Sequence, residues 1–530
     1  MRRLLCLLLI LTGVVGVTAS PILRGTPQRP ASLLIAGGTL VDGTSARRRR
    51  ADVRLAGDTI TEIGRLKPRA GERVIEVRGR IVAPGFIDTH SHADGGLLET
   101  PEAENQIRQG ITTAIIGQDG GSRLPLEAFF RQVTETPVAL NLASFVGHGT
   151  VRGQVMGEDY KRPATAVEIT KMCALVESEM KAGALGLSSG LEYDPGLYAT
   201  TEEVIACAKV AARYGGLYIS HVRDEENEAI TSFREVIRIA QEAHLPAQIS
   251  HIKLGSSNVW GKADEVLRLM HEAKRRGLDI TADVYPYTYW RSTITVITPT
   301  RDWSDRAAWQ KGLDEIGGPS NVLLATYTPD AAWAGKTIAQ IAASTGKDAV
   351  TIIQEIVKKT RGEGATGREG VVVTAMREDD LRRFIAAPRI MFCTDGGLRS
   401  THPRASGTYP RLLGRYVREW RVLSLEEAIR KMTSLPAWRM GLRDRGIIQS
   451  GMKADVVVFD PQRVIDTATT GNPGAAPIGI SSVIVNGVPV LDMGKMTGER
   501  PGMVLRHKPS PPPPLPELGY PLPKTWVRST

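Results

Sequence analysis

His90 and His92, separated by one residue, are the two side chains of this sequence best suited to hold a metal ion. They close the short apolar stretch at residues 85–92, GFIDTHSH, whose composition is typical of a β-strand. Since alternate side chains of a strand point to the same face, both imidazoles can bind one metal ion. A single pair of this kind is only suggestive, and its weight depends on the other ligand-type residues of the chain.

Three more ligand-type residues lie at the ends of predicted strands: His221 ends the fifth, His251 ends the sixth and Asp395 follows the eighth. Barrel enzymes place their catalytic groups at these carboxyl ends. A bound metal ion lowers the pKa of its water to near 7 and polarises a carbonyl, so no serine or cysteine nucleophile is needed. Together with His90 and His92, these residues place five ligand-type side chains on one rim of the predicted barrel.

The middle of the chain alternates between strand-like runs and helical stretches, which predicts an α/β fold with a (β/α)8 TIM-like barrel over residues 83–440. The eight runs are 81–90, 111–117, 138–146, 184–189, 217–221, 247–251, 279–285 and 389–394. Tryptophans, glycines and an additional helical segment then interrupt the alternation. We therefore expect an insertion at about 298–375, between the seventh and eighth strands, that overhangs the mouth of the barrel.

Both ends of the chain differ from this middle region. Residues 33–82 and 446–506 contain short β-type runs separated by turn residues, which predicts one small β-sandwich domain built from both chain ends. The last segment, 507–530, is rich in proline and is expected to be extended rather than packed.

The first twenty residues are typical of a signal peptide. Arg2 and Arg3 precede an apolar run from residue 4 to residue 17, and small residues follow it. The run is shorter than the roughly 20 residues of a spanning helix, so we expect cleavage near Ala19 or Ser20, export to the periplasm or medium, and no membrane anchor afterwards. The net charge of +10, or +8 once Arg2 and Arg3 are removed with the signal peptide, favours anionic substrates, whereas the dispersed basic residues argue against a nucleic-acid partner.

Six stretches, taken together, match a known family: 85–92, 183–201 (GALGLSSGLEYDPGLYATT), 216–225 (GLYISHVRDE), 249–253 (ISHIK), 283–288 (DVYPYT) and 402–416. From about residue 33 to residue 506 the chain is similar to the N-acyl-D-amino-acid deacylase (D-aminoacylase) branch of the metal-dependent amidohydrolases. The resemblance implies zinc-dependent hydrolysis of a small N-acyl-D-amino acid, with release of a carboxylate and a free D-amino acid.

The same resemblance implies the metal ligands. His221 and His251 would hold a tight zinc ion, His90 and His92 would hold a weaker second one, and Asp395 would act as ligand as well as base. Many family members carry a cysteine in Gly-Asn-Cys-Gly where residues 117–120 of this chain read GQDG. Asp119 is a candidate replacement, because a carboxylate binds zinc at about 2.0–2.2 Å. The alternative interpretation is that Asp119 only forms the turn before the following glycines.

Several residues at the mouth are candidates for binding substrate. Arg223 and Lys253 follow His221 and His251 by two residues, which returns each cation to the mouth, where it can bind the substrate carboxylate. The resemblance supports neutral hydrogen bonds from Tyr193, Tyr285 and Ser292. Residues near the mouth without an assigned role are His148, His402 and Arg404.

Two other functions remain as alternatives. One is a cyclic-amide or dipeptide hydrolase of the same superfamily, and the other is a non-catalytic scaffold that kept the fold and lost its metal. The fourth strand offers no lysine for a carbamylated metal bridge, and this absence favours the linear-amide hydrolase over the first alternative. Every expected ligand except the cysteine is present, which favours it over the second.

Overall fold

A computed structural model describes residues 32–298, 302–361 and 364–508. The predicted signal peptide at 1–20 and nearly all of the predicted proline-rich tail lie outside the described residues. Among the residues that are described, no helix has both the length and the apolar character needed to cross a membrane.

Eight parallel strands form a closed barrel. In chain order they are Phe86–Asp88, Ile111–Ile116, Asn141–Ser144 with its continuation Val146–Gly147, Gly186–Gly190, Leu217–His221, Ala247–Ile249, Ile280–Val284 and Ile390–Phe392. The eighth strand returns to the first through two backbone hydrogen bonds: Asp395 N–H donates to His90 O at 2.9 Å, and His92 N–H donates to Gly396 O at 3.1 Å. The (β/α)8 barrel predicted from the sequence is confirmed.

Helices surround the barrel and cover it with their apolar faces. The longest, Ala166–Ala182, begins at a capping box formed by Thr165 and Glu168 and ends at Gly183, whose φ of 104° suits glycine. The others are Glu104–Ile107, Leu126–Glu135, His148–Met156, Thr201–Arg213, Ala229–Ala243, Ala263–Arg275, Glu378–Ala386, Arg404–Arg411, Leu425–Met432, Ser434–Arg439 and the π-helical segment Leu412–Glu419. Two 3-10 turns, Gly157–Asp159 and Gly196–Tyr198, join these elements.

Two sheets pack face to face to form the sandwich. One contains Leu33–Ala36, Asp52–Ala56, Thr59–Gly64 and Arg73–Glu76. The other contains Thr39–Leu40, Arg49–Arg50, Ile81–Pro84, Val456–Phe459, Ile480–Val485, Val488–Asp492 and Lys495–Met496. Within it Val82 pairs with Val458 in antiparallel register, so the two chain ends share one sheet and one apolar core.

The insertion between barrel strands seven and eight has a core of its own, which includes the buried Trp309. Its antiparallel sheet contains Tyr289–Ser292, Val322–Tyr327, Lys336–Thr337 and Glu369–Thr374. Its helices are Arg306–Glu315, Ile338–Thr345 and Ala349–Thr360, with 3-10 turns at Ile294–Ile297 and Pro319–Asn321. The insertion begins near residue 289 rather than at about 298, because its first strand pairs with its last one, far away in the sequence.

Candidate metal centre and active site

The carboxyl ends of the barrel strands surround a cavity of about 250 Å³. All six residues predicted as metal ligands lie at or directly beneath it: His90, His92, Asp119, His221, His251 and Asp395. One wall of the cavity comes from the insertion, which contributes Trp290, Arg291, Ser292 and Val296. The insertion therefore reaches the mouth of the barrel, where the sequence places it.

The Asp119 carboxylate lies between three of the histidines. Its Oδ1 is 3.3 Å from His90 Nε2 and 3.4 Å from His251 Nε2, and its Oδ2 is 3.3 Å from His92 Nε2. Asp395 completes the group, with Oδ1 at 3.3 Å from His92 Nε2. The side chains that follow barrel strands one, two, six and eight thus meet around one point.

The unsatisfied polar atoms of this cluster fit a bound metal ion. His90 is fully buried, and neither of its ring nitrogens has a hydrogen-bond partner among the described residues; the same is true of Asp119 Oδ1. Such atoms destabilise a protein unless a ligand satisfies them. Two sets of possible ligand atoms, each within 4.8 Å of one another, share His251: one adds His90, Asp119 and Asp395, and the other adds His221 and Glu225. Imidazole and carboxylate donors in this arrangement suit zinc.

Three members of the cluster adopt left-handed backbone conformations, with φ values of 52° at Asp119, 32° at His251 and 45° at Asp395. These values are uncommon for residues other than glycine and mark functional sites when the surrounding structure enforces them. Close packing fixes the first, because a Cβ at Gly190 would lie 2.2 Å from Asp119 O. Asp119 therefore occupies a turn and also directs its carboxylate into the cluster, so its position in a turn does not exclude it as a ligand.

Burial and nearby charges shift the pKa values of His221 and His251 in opposite directions. Burial lowers the pKa of His221 to about 4, against the opposing influence of Glu225, so its ring nitrogens are available to a metal. Burial and the Lys253 ammonium lower the pKa of His251, but Glu225, Asp395 and Asp119 outweigh them and raise it to about 10. A metal ion that binds His251 must displace any proton on the nitrogen that it uses.

Two glutamates that the sequence analysis did not single out line the cavity and contact the histidines. His221 Nε2 lies 2.7 Å from Glu192 Oε2, and its Nδ1 faces His251 Nε2 at 3.0 Å. His251 Nδ1 lies 3.0 Å from Glu225 Oε1. A carboxylate on the outer nitrogen fixes the tautomer and orientation of a metal-binding imidazole. The only sequence signal for these glutamates was their position directly after barrel strands four and five.

The predicted substrate-binding residues are placed unequally. Lys253, Tyr285 and Ser292 line the cavity, and so does Tyr193, which is 44% exposed. Arg223 instead points to the outside of the barrel, where its guanidinium donates to Glu235 at 2.8 and 3.0 Å and to the Leu197 and Ala199 carbonyl oxygens. An acidic partner on a surrounding helix thus turns this arginine away from the mouth.

Arg404 supplies the cation that the sequence analysis expected from Arg223. It lines the cavity, donates to Asp395 Oδ2 at 2.7 Å and lies 4.6 Å over the centre of the Tyr285 ring. The two histidines without an assigned role lie beside the site: His148 contacts the buried Glu203, and His402 Nε2 donates to Tyr289 O at 3.0 Å.

Comparison with known proteins extends these observations. The amidohydrolase family model matches residues 73–390 and 379–491. The chain is 35% identical over 503 residues to the D-aminoacylase of Alcaligenes xylosoxydans xylosoxydans, which covers 90% of this chain and 98% of the relative. It is 34% identical over 504 residues to the N-acyl-D-glutamate deacylase of the same organism, which covers 91% and 97%.

A solved structure is also similar to this one. It is the N-acyl-D-glutamate deacylase of Bordetella bronchiseptica, complexed with zinc and with a phosphonate inhibitor that mimics the tetrahedral intermediate of the reaction. The two structures agree with a TM-score of 0.79 at 33% identity, over 89% of this chain and 99% of the other.

Proposed function

The chain belongs to the amidohydrolase family, and on that basis we propose that it hydrolyses the amide bond of N-acyl-D-amino acids. The products would be a carboxylate and a free D-amino acid. The observation that carries the proposal is the meeting of four ligand-type side chains at the mouth of the barrel, next to the cations Lys253 and Arg404. A complete set of ligands argues against a non-catalytic scaffold, and the similarity to deacylases of N-acyl-D-amino acids argues against a cyclic-amide hydrolase.

Asp395 is the proton carrier of this proposal. A zinc ion bound by the cluster supplies a water molecule of lowered pKa and polarises the scissile carbonyl. Burial raises the pKa of the Asp395 carboxyl, but Arg404, His251 and His92 outweigh it and hold the pKa well below its usual range. Its carboxylate is therefore ionised at neutral pH, accepts the proton of the attacking water and returns it to the amine as the amine departs.

Lys253 and Arg404 are the groups that bind the carboxylate of the substrate. Both side chains line the cavity, and the Lys253 ammonium and the Arg404 guanidinium lie 5.9 and 4.6 Å from the centre of the Tyr285 ring. A guanidinium and an ammonium are the groups that bind carboxylates most strongly. Ser292 adds a hydroxyl from the insertion, and its neighbours Trp290 and Arg291 face the same cavity. The insertion thus contributes to the wall that meets the substrate side chain.

The first test is the turnover of a panel of N-acetyl amino acids in both enantiomers, measured as release of free amine by the zinc-loaded protein. We expect hydrolysis of D-enantiomers only, and loss of it in Asp395→Asn measured beside the wild type. Turnover of hydantoins or dipeptides in place of N-acetyl-D-amino acids would contradict the proposal. So would purification without chelators that yields no stoichiometric zinc, the outcome expected of a scaffold.

We also propose that the protein is exported, with cleavage near Ala19 or Ser20. The basic residues Arg2 and Arg3 before an apolar run that is too short for a membrane span support this. The mass of the intact protein recovered from outside the cytoplasm should equal that of a chain starting at residue 20 or 21. Recovery of the full-length chain from the cytoplasm would contradict it.

A further inference from the structure

Three ionisable side chains that take no part in the proposed chemistry are completely buried next to the loops that carry Asp119 and Glu192. His148 Nε2 lies 2.9 Å from Glu203 Oε1, Arg152 Nε lies 3.6 Å from the same oxygen, and all three side chains are 0% exposed. His148 and Arg152 are four residues apart on the helix His148–Met156 and so share a face. Burying charged groups in this way is costly unless they are paired, so the positions of all three depend on one another.

The beginning of this helix holds the loop that carries Asp119. Thr150 N–H donates to Gly120 O at 2.9 Å, and Ser122 N–H donates to Thr150 Oγ1 at 2.9 Å. The two segments are in close contact, because a Cβ at Gly147 would lie 2.4 Å from Gly120 O. Any shift of the helix at His148 therefore shifts the turn that aims the Asp119 carboxylate.

The next turn of the helix holds the loop that carries Glu192 and Tyr193. Arg152 Nε donates to Pro195 O at 3.1 Å, in the middle of this loop. Glu203 lies in the first turn of Thr201–Arg213, the helix that directly follows the loop. The loop in turn delivers Glu192 to His221 Nε2 at 2.7 Å and the Tyr193 hydroxyl to His221 Nδ1 at 3.2 Å.

We propose that His148, Arg152 and Glu203 are positioning residues that fasten the Asp119 loop to the Glu192 loop and thereby set the metal affinity of the site. Asp119 belongs to one of the two ligand sets that share His251, and His221 belongs to the other. The relative position of these loops therefore decides whether the two sets can bind two neighbouring metal ions. The inference rests on the proposed function in treating the cluster as a metal site. It does not depend on which substrate the enzyme takes.

Glu203→Gln is the first test, because it keeps the shape of the side chain and removes its charge. Loss of a residue that orients metal ligands typically costs 10–100-fold in metal affinity, and we expect a loss of about 10-fold here. Zinc affinity is measured on the full chain by titration against a competing chelator. The matched control is Glu427→Gln in the helix Leu425–Met432, which contributes no residue to the cavity. It breaks the buried ion pair between Glu427 Oε1 and Arg430 Nη2, which are 2.7 Å apart.

The control separates positioning from general stability. Both variants should lower the temperature of thermal unfolding, but only Glu203→Gln should weaken zinc binding. Wild-type zinc affinity in a folded Glu203→Gln would overturn the inference and leave a purely structural ion pair. If Glu203→Gln does not fold, Arg152→Lys keeps the charge and loses the bond to Pro195 O, and the same two outcomes apply.

A double-mutant cycle tests the route through the loop. Glu192→Gln alone should weaken zinc binding, and the double variant with Glu203→Gln should lose less than the product of the two separate effects, since both act through one loop. Independent, multiplicative losses would overturn this route. Failure of the proposed function gives a different result. The wild type would then hydrolyse no N-acyl-D-amino acid, while Glu203→Gln would still bind zinc more weakly than the wild type.

Discussion

Asp455 and Asp119 are two aspartates at opposite ends of the barrel, and they differ in how their oxygens are satisfied. Asp455, at the seam between the sandwich and the barrel, accepts hydrogen bonds from the Arg445 guanidinium, from Asn141 Nδ2 at 3.1 Å and from Asn486 N–H at 2.7 Å. Asp119, at the rim, has an Oδ1 with no hydrogen-bond partner among the described residues. The Asp455 carboxylate is satisfied by the chain itself, whereas Asp119 Oδ1 requires a ligand.

This difference separates stability from function. A buried polar group whose partners all come from the chain contributes to folding, and removing one partner lowers the free energy of unfolding. A group whose partner is a bound metal ion contributes mainly to the binding of that ion. Changes at the rim should therefore alter zinc binding and turnover, and changes at the seam should alter stability alone.

The largest effect is expected from His221→Ala and His251→Ala. Each removes a ligand from an incomplete coordination shell, so zinc affinity should fall by more than about 100-fold, and turnover should be lost. Because His221 and His251 also contact Glu192 and Glu225, the variants should unfold at a somewhat lower temperature, and zinc affinity is compared between folded proteins. Metal analysis and chelator titration of the purified variants measure this, and a normal zinc content in either one would remove that histidine from the site.

Asp395→Asn should separate chemistry from metal binding at the same rim. It removes a proton carrier and keeps most of the shape of the side chain, so turnover should fall by about 10²–10⁴-fold while much of the zinc remains. Steady-state kinetics at matched zinc content measure the effect. Turnover near the wild-type rate would exclude Asp395 as the base.

Asp455→Ala should show the opposite behaviour at the seam. It leaves the buried Arg445 guanidinium without its main partner, which should lower the free energy of unfolding by about 3–5 kcal/mol. Asp444→Ala is the matched control, because its carboxylate pairs with the same arginine at 3.1 Å but is 55% exposed, and its loss should cost less than about 1 kcal/mol. Denaturant unfolding measures both, and altered zinc affinity in either variant would contradict the separation.

The smallest effect is expected at Asp119, the aspartate at the mouth of the barrel that corresponds in this comparison to Asp455 at the seam. Asp119→Ala should weaken zinc binding by about 10-fold, and Asp119→Cys should restore or tighten it, because thiolate is the softer donor. If the residue only formed its turn, the alanine variant would lose a little stability, and the cysteine variant would gain nothing. Equal zinc affinities in all three proteins would exclude Asp119 as a ligand.

The sequence predicted the features that depend on local patterns. Barrel strands are short, apolar and regularly spaced. This repetition predicts, without any knowledge of tertiary contacts, that His90, His221 and His251 lie at strand ends. The predicted start of the insertion, about residue 298, lies too far along the chain, because Tyr289–Ser292 becomes a strand only by pairing with Glu369–Thr374. A strand that depends on a partner eighty residues away leaves little local signal.

The amino-acid sequence by itself thus determined which residue types stand at the mouth of the barrel, since the strand period and the strand ends are local properties. Only the tertiary structure decided which arginine faces the cavity. Arg223, beside a metal ligand in the sequence, is turned outward by Glu235 on a surrounding helix, while Arg404 begins another helix and reaches Asp395. The direction of a long charged side chain is set by the charge it can pair with, and that partner comes from another part of the fold.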